Sequence, residues 1–250
     1  MEFENSWGNP IRSFAYSKLE FPNTYYLAYR DLPAIIATHI QGNRAIDFGC
    51  GTGRSTRFLK QLGFNVTGID ISEDMLAHAR ELDPGGEYIV VNNGQYQQLA
   101  AGQYDLVQSV FTFDNIPGWE TRISILKSLS ELLCATGKII CLDSNSEMYT
   151  HEWASFSTKA FPENKTASTG DIVKIIMTDV DDQRPVEDIL WTEDDYYTLF
   201  NLAGLGIEAT YKPLGFENEP YKWVVEKEIA PWIIFVLIKN SFFVTLWMTF

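Results

Sequence analysis

Ala45-Ile46-Asp47-Phe48-Gly49-Cys50-Gly51-Thr52-Gly53 is the stretch whose reading decides the fold of this chain. Residues 45–48 form a short apolar run with one acid that ends at glycine, the pattern of a buried strand stopping at a tight turn. Gly49, Gly51 and Gly53 fall on alternate positions, so the main chain can bend sharply and a ligand can approach it without meeting a Cβ. Residues 52–62 predict a helix with Phe58, Leu59 and Leu62 on one face and Gly63 as its stop. A strand over 65–71 follows, with Asp70 near its carboxyl end. Strand, glycine turn, helix and a parallel strand tipped with an acid make a βαβ unit of the nucleotide-binding kind.

The pattern continues outward. Ser72 caps a helix with Glu73 and Asp74 in its first turn and Met75, Leu76 and Ala79 on its apolar stripe. Strands are expected over 87–91 and 104–111, an amphipathic helix over 117–133, and a fifth strand over 138–143 after Gly137. The rhythm breaks over 144–192. There 147–161 reads as a helix, and 171–180 with 186–191 reads as a hairpin about the turn 181–185. A helix from Thr192 and strands over 207–211 and 232–238 bring the strands to seven. The expected fold is α/β, a doubly wound seven-stranded sheet, mostly parallel with an antiparallel last strand, plus an inserted cap. A single domain over 1–250 is expected. Its parts are a helical lid (1–42), a core (43–143), a cap (144–192), C-terminal strands and helix (193–240) and an apolar tail (241–250).

The 250 residues carry a formal net charge of −14, and no Lys/Arg cluster stands out, which argues against a nucleic-acid partner. Cys50, Cys134 and Cys141 have neither CxxC spacing nor an even count, and fit reduced thiols in a cytosol. The three histidines show no paired spacing, so no metal site is expected. The N-terminus lacks the basic and apolar regions of a signal peptide, and a cytoplasmic location is expected. The apolar stretch 229–250 is broken by Pro231, Lys239 and Asn240, too short on either side for a stable membrane span.

Asp47-Phe48-Gly49-Cys50-Gly51-Thr52-Gly53, Asp70, Tyr104-Asp105-Leu106-Val107 and Gly137-Lys138-Ile139-Ile140 together resemble the class I S-adenosylmethionine-dependent methyltransferase family. The resemblance covers 43–143 and, more loosely, 191–239. It implies a Rossmann-like sheet, S-adenosyl-L-methionine as cofactor and S-adenosyl-L-homocysteine as product. It further implies that the turn carrying Gly49, Cys50, Gly51 and Gly53 borders the methionine and ribose portion, that Asp47 holds the amino group and that Asp70 takes the ribose hydroxyls. A carboxylate suits two hydroxyl donors, where a phosphate site wants donors of its own. Ile71 and Met75 would border the adenine, Met75 alternatively being helix core. Where the family commonly has an adenine-binding acid, this chain has Gln95, with Asn93 and Tyr96 close by. Ser109, near the end of the fourth strand, completes the cofactor set. Arg30 would pair with the cofactor's carboxylate or form a surface salt bridge. A nicotinamide dinucleotide site competes, but its third fingerprint glycine is replaced by Arg54, and no Tyr-x-x-x-Lys pair occurs.

Methyl transfer is an in-line displacement in which the protein chiefly positions the acceptor and excludes water. Phe111, Phe113, Asp114 and Asn115 follow the fourth strand and are expected to face the acceptor. Asp114 reads as base or helix cap, and His151 as a second candidate base or a structural residue. Tyr25, Tyr26, Tyr29 and Trp153 suggest an aromatic pocket. The expected function is methylation of an oxygen or nitrogen nucleophile on a small molecule by a monomer or homodimer. The alternative is a catalytically silent cofactor-binding subunit.

Overall fold

The computed structural model describes residues 10–92 and 94–240. Asn93 and the apolar tail 241–250 lie outside the described residues. The chain opens with three helices, α1 (Pro10–Ser17), α2 (Thr24–Arg30) and α3 (Leu32–His39). There follow β1 (Arg44–Phe48), α4 (Arg54–Gln61), β2 (Asn65–Asp70), α5 (Glu73–Leu82), β3 (Glu87–Val90), β4 (Tyr104–Val110), α6 (Trp119–Leu132) and β5 (Leu133–Ser144). The remainder holds β6 (Phe156–Ser157), β7 (Ile172–Met177), β8 (Val186–Ile189), α7 (Glu193–Leu202), β9 (Leu205–Tyr211) and β10 (Trp232–Lys239).

Seven strands form one sheet in the order β3-β2-β1-β4-β5-β10-β9. β10 alone is antiparallel to its neighbours, as the sequence pattern predicts. The strand order reverses between β1 and β4, and a crevice opens beyond their carboxyl ends there. Both faces of the sheet are covered, which is why the central strands read as continuous apolar runs. Along β10, Ile234 and Val236 enter the core that holds Leu27, Leu32, Leu59 and Ile140. Ile233, Phe235 and Leu237 enter the opposite core with Leu126, Leu129, Ile139 and Leu199.

Two local expectations are corrected. The fifth strand begins at Leu133, and Gly137 lies inside it. A Cβ at Gly137 would come within 2.5 Å of the Tyr104 carbonyl oxygen, so glycine permits β4 and β5 to close up where their register shifts. Residues 147–161 form no α-helix. A 3₁₀ turn over Ser146–Tyr149 leads instead into a loop held by its own side chains. Trp153 Nε1 donates to Met148 O at 2.9 Å, and Glu152 Oε1 accepts from Thr158 N at 2.7 Å. β6, β7 and β8 then make a separate antiparallel sheet.

The N-terminal segment is fastened to that smaller sheet. Arg12 Nη2 donates to Pro185 O at 2.9 Å, and Nε pairs with Asp182 at 3.4 Å. The fully buried Glu226 accepts from Thr24 Oγ1 and Ala154 N at 2.7 Å through one oxygen, and from Val224 N at 2.7 Å through the other. Among the described residues no helix is long and apolar enough to cross a membrane.

Phe235 is fully buried and packs against Phe200 at 5.1 Å and Tyr196 at 5.4 Å between ring centroids. Phe235→Ala is expected to destabilise the protein by about 3–5 kcal/mol through lost burial and the cavity left behind. Denaturant unfolding measures it, and a loss under about 1 kcal/mol would contradict this packing.

Candidate functional site

Asp47 sits on β1 directly beneath the glycine turn and is completely buried. Its Oδ2 accepts hydrogen bonds from Ser55 Oγ at 2.7 Å and Thr56 Oγ1 at 2.6 Å, both in the first turn of α4. Burial pushes this carboxyl up to about 6, although the two hydroxyls work against the shift. Its Oδ1 has no hydrogen-bond partner among the described residues. From the other side, Gly49 N and Cys50 N donate to Ile69 O at 2.8 and 3.1 Å, and Gly51 N donates to Asp70 Oδ2 at 2.8 Å. The turn is thus pinned between β1, β2 and α4.

All three glycines of the turn have φ in the left-handed region, at 69°, 53° and 79°. The room left by their missing side chains is used differently at each. A Cβ on Gly49 would strike Thr112 Oγ1 at 2.3 Å, and one on Gly53 would strike the Tyr88 hydroxyl at 2.7 Å. Only Gly51 is clear of such protein contacts, Met75 Cε lying 3.0 Å from its hypothetical Cβ. The close approach that a ligand needs is therefore concentrated at Gly51.

A cavity of about 580 Å³ lies over this turn at the switch between β1 and β4. Asp70 lines it, with Oδ1 accepting from Ser72 N at 2.9 Å and Oδ2 from Gly51 N. Burial raises this carboxyl too, and those two N–H groups hold it back. One wall is apolar, made by Ile71, Met75, Val91, Ile116 and Pro117. The far wall holds Tyr16, Tyr29, Arg54, Phe111, Thr112 and Asn115. Phe111 has φ 56°, a strained conformation for a ring-bearing residue, and it stacks on Trp232 at 4.5 Å. Arg122 straps the 113–116 turn that carries Asn115 and Ile116: Nε donates to Ile116 O at 2.6 Å and Nη2 to Phe113 O. The Arg122 guanidinium is stacked on Trp191, 3.8 Å from the ring centroid.

Of the residues expected at the cofactor, Gly49, Cys50, Gly51, Asp70, Ile71 and Met75 line the cavity; Asp47 and Gly53 do not, the first being fully buried under the turn and the second packed toward Tyr88. The adenine-side expectations need correction. Gln95 is exposed and bridges only to Asn92, and Ser109 is buried within β4. Tyr96 is buried edge-on to Phe48 at 6.2 Å. None of the three lines the cavity: Tyr96 and Leu99 anchor the loop that carries Gln95 in the core, and Ser109 is enclosed within the sheet. Arg30 is engaged elsewhere as well. It grips Asp31 through two nitrogens at 2.8 and 2.7 Å, reaches Glu219 at 2.8 Å and lies over the Phe216 ring.

On the acceptor side, Tyr29, Phe111 and Asn115 line the cavity. Tyr25 stands one layer behind, its hydroxyl on Met177 Sδ at 3.3 Å, and Tyr26 packs on Tyr221 at 4.9 Å. Phe113 is buried against Phe48, and Trp153 is held within the smaller sheet's loop. Neither candidate base reaches the cavity. Asp114 is buried and accepts from Ser144 N at 3.2 Å and from the Tyr196 hydroxyl at 3.3 Å; burial raises its carboxyl, opposed by Ser144 and Arg122. His151 lies beside Glu147 at 3.3 Å and Thr150 Oγ1 at 3.0 Å. Among the described residues no cluster of three or more His, Cys, Asp or Glu side chains is disposed to hold a metal.

Sequence reasoning missed Tyr16, Arg54, Thr112, Val91 and the Ile116–Pro117 pair as cavity wall. Arg54 was visible only as a residue too large for a dinucleotide fingerprint, and Pro117 only as a helix opener.

A doubly wound sheet with a cavity at its switch point, a glycine turn pinned over a buried acid and a second acid at the tip of β2 defines an α/β protein built for an adenosyl-type cofactor. Residues 46–186 match the family described as a methyltransferase domain. A curated relative, the ubiquinone biosynthesis O-methyltransferase of Pseudomonas aeruginosa (strain UCBPP-PA14), is 26% identical over 179 residues, covering 70% of this chain and 71% of that protein. The solved CcbJ methyltransferase from Streptomyces caelestis superposes with a TM-score of 0.67 at 17% identity, covering 96% of this chain and 100% of that one. An S-adenosylmethionine-dependent methyltransferase from Clostridium acetobutylicum ATCC 824 gives 0.63 at 13% identity, covering 93% and 100%. This chain belongs to the class I S-adenosylmethionine-dependent methyltransferase family, and S-adenosylmethionine is its cofactor.

Asp47 has a carboxyl raised on folding, so the folded state holds its proton more tightly than the unfolded chain does. Its contribution to stability is complete below about pH 4 and is lost as pH rises through about 6. The stability of Asp47→Asn relative to wild type should therefore rise between pH 5 and pH 7 (about a factor of ten or more in the folding constant). Urea unfolding at several pH values measures this, and a flat difference would contradict a raised carboxyl at this position.

Proposed function

We propose that this enzyme transfers the methyl group of S-adenosylmethionine to an oxygen or nitrogen nucleophile on a small molecule and releases S-adenosylhomocysteine. The observation that carries this reading is the cavity itself. Its volume of about 580 Å³ is in the range of small-molecule sites. Its far wall of Tyr16, Tyr29 and Phe111 suits a compact, planar or apolar acceptor. The O-methyltransferase relative named for ubiquinone biosynthesis supports an acceptor of this class.

The cavity fits the cofactor on the chemistry of its donor set. Each Asp70 oxygen accepts one backbone N–H and keeps a lone pair for a ribose hydroxyl. Asp47, fully buried beneath the turn and outside the cavity lining, holds the turn in place through Ser55 and Thr56 rather than meeting the cofactor itself. Gly51 leaves main-chain atoms open to the thioether side, and Ile71, Met75, Val91, Ile116 and Pro117 form a slot for the adenine. When bound, the cofactor supplies a methyl group on a sulfonium, an electrophile that needs no activation by the protein.

The lining side chains explain how the chain contributes to rate. Cys50 and Tyr29 are held in their neutral forms by burial, and Asp70 is occupied with N–H donors. Asp114 and His151 stand outside the cavity. Catalysis on this reading rests on aligning the acceptor and excluding water, the role of the aromatic wall and of Asn115.

Calorimetry with S-adenosylhomocysteine tests the cofactor site. Asp70→Ala is expected to weaken binding by about 1–3 kcal/mol, roughly 5- to 150-fold. Unchanged affinity would refute the ribose assignment. Incubation with methyl-labelled cofactor and a panel of phenols, hydroxylated heterocycles and amines tests the acceptor class. Label in small-molecule product is the expected result, and label found only in added protein or nucleic acid would overturn the proposal.

A further inference from the structure

Arg54 is 4% exposed, carries a permanent charge and has no carboxylate partner among the described residues. Its Nη1 donates to Glu20 O and its Nη2 to the Tyr16 hydroxyl, each at 2.7 Å, so both acceptors are neutral. Five rings surround it: Tyr16 and Tyr25 at 5.0 Å, Tyr29 at 5.6 Å, and Phe21 and Phe111 at 5.9 Å from the guanidinium carbon to each centroid. Ring faces attract a cation, but they do not replace the anion that a buried charge ordinarily requires. A guanidinium has five N–H donors, and the Glu20 carbonyl and the Tyr16 and Tyr29 hydroxyls, all neutral, leave the fork unfilled and the charge unmatched.

The position of this cation matters as much as its environment. Arg54 lines the same cavity as Asp70, so one wall of the cavity carries a cation and another carries a carboxylate. It stands immediately after the glycine turn, at the first residue of α4, and shares the far wall with Tyr29 and Phe111. A cation buried there, gripped only by neutral oxygens and rings, is complementary to an anion small and planar enough to enter the cage.

We propose that Arg54 is the carboxylate-binding residue of this cavity, its guanidinium completed by a carboxylate of the bound ligand. The proposal rests on the cavity being the cofactor and acceptor site. Two molecules can bring that carboxylate: the cofactor, through its methionine moiety, or an acceptor that is itself a carboxylic acid. A planar guanidinium pairs with a carboxylate through two parallel N–H···O bonds, which a lysine cannot reproduce.

Calorimetry on the full chain separates the sources. The first arm compares S-adenosylhomocysteine with its decarboxylated analogue on wild type, Arg54→Gln and Arg54→Lys. If the cofactor supplies the carboxylate, its removal weakens wild-type binding tenfold or more and weakens Arg54→Gln binding less than threefold. The second arm titrates small aromatic carboxylic acids, and the matching amides, into protein loaded with S-adenosylhomocysteine. If the acceptor supplies the carboxylate, the acids bind at least tenfold tighter than the amides, and Arg54→Gln loses the preference. Binding of S-adenosylhomocysteine with no carboxylate preference in either arm overturns the proposal, as does a preference that survives unchanged in Arg54→Gln. Should Arg54→Gln fail to fold, Arg54→Lys, which keeps the charge but not the planar fork, is expected to lose most of the carboxylate preference, and an unchanged preference there overturns the proposal. Failure of the wild type to bind S-adenosylhomocysteine at all overturns the reading of the cavity, and this proposal with it.

Discussion

Asp47 Oδ2 receives the hydroxyls of Ser55 and Thr56, and through them β1 is joined to the first turn of α4. Everything that the cavity needs hangs on that junction. It fixes where α4 starts, and so how tightly the intervening residues must turn. Three left-handed glycines on alternate positions are the consequence. With the turn fixed, Gly51 N reaches Asp70, and the acid at the tip of β2 is aimed into the cavity rather than into solvent. The junction is costly, since a fully buried carboxylate has to be desolvated, and its raised pKa is the trace of that cost. Two short hydroxyl bonds offset part of it.

The opposite wall depends on contacts far apart in sequence. Glu226 receives donors from the start of α2, from the loop before β6 and from residues just before it, and is satisfied on both oxygens. That satisfied, buried carboxylate holds the helical N-terminal segment against the smaller sheet. Arg12 adds a second fastening to the 182–185 turn. Between these two points lie Tyr16 and Phe21, which with Tyr25 and Tyr29 of α2 make four of the five rings around Arg54. The aromatic wall is therefore rigid for reasons that lie outside it.

The sheet was legible in the sequence because parallel strands buried on both faces leave uninterrupted apolar runs bounded by glycine and acid. The cofactor turn was legible because glycine is nearly the only residue tolerated at its angles, so geometry is written directly into residue type. The adenine side was not. Counting back from Leu99 cannot reveal that Tyr96 is drawn into the core against Phe48 and carries its loop away from the cavity. Arg30 and Arg54 illustrate the same limit. Both are arginines near aromatic residues in sequence, yet only the tertiary structure brings Glu219 to Arg30 beside its neighbour Asp31 and leaves Arg54 caged among rings. Long-range partners decide what a charged side chain is free to do.

Arg54 also explains why the same opening motif parts company with dinucleotide-binding folds. A glycine at that place lets helix and strand pack closely and brings the helix N-terminus against a pyrophosphate. Here α4 begins with a long side chain that leaves the helix and occupies the cavity wall. The hydroxyls of Ser55 and Thr56 at the start of α4 are committed to the Asp47 carboxyl, which places a carboxyl rather than a phosphate beside this helix N-terminus. The positive charge sits instead on the Arg54 guanidinium in one wall of the cavity, while the Asp70 carboxyl at the tip of β2 lines another. That distribution, one cation and one carboxylate on different walls, is complementary to a ligand carrying hydroxyl donors and a single carboxylate, and is unlike the run of N–H donors that a pyrophosphate site requires.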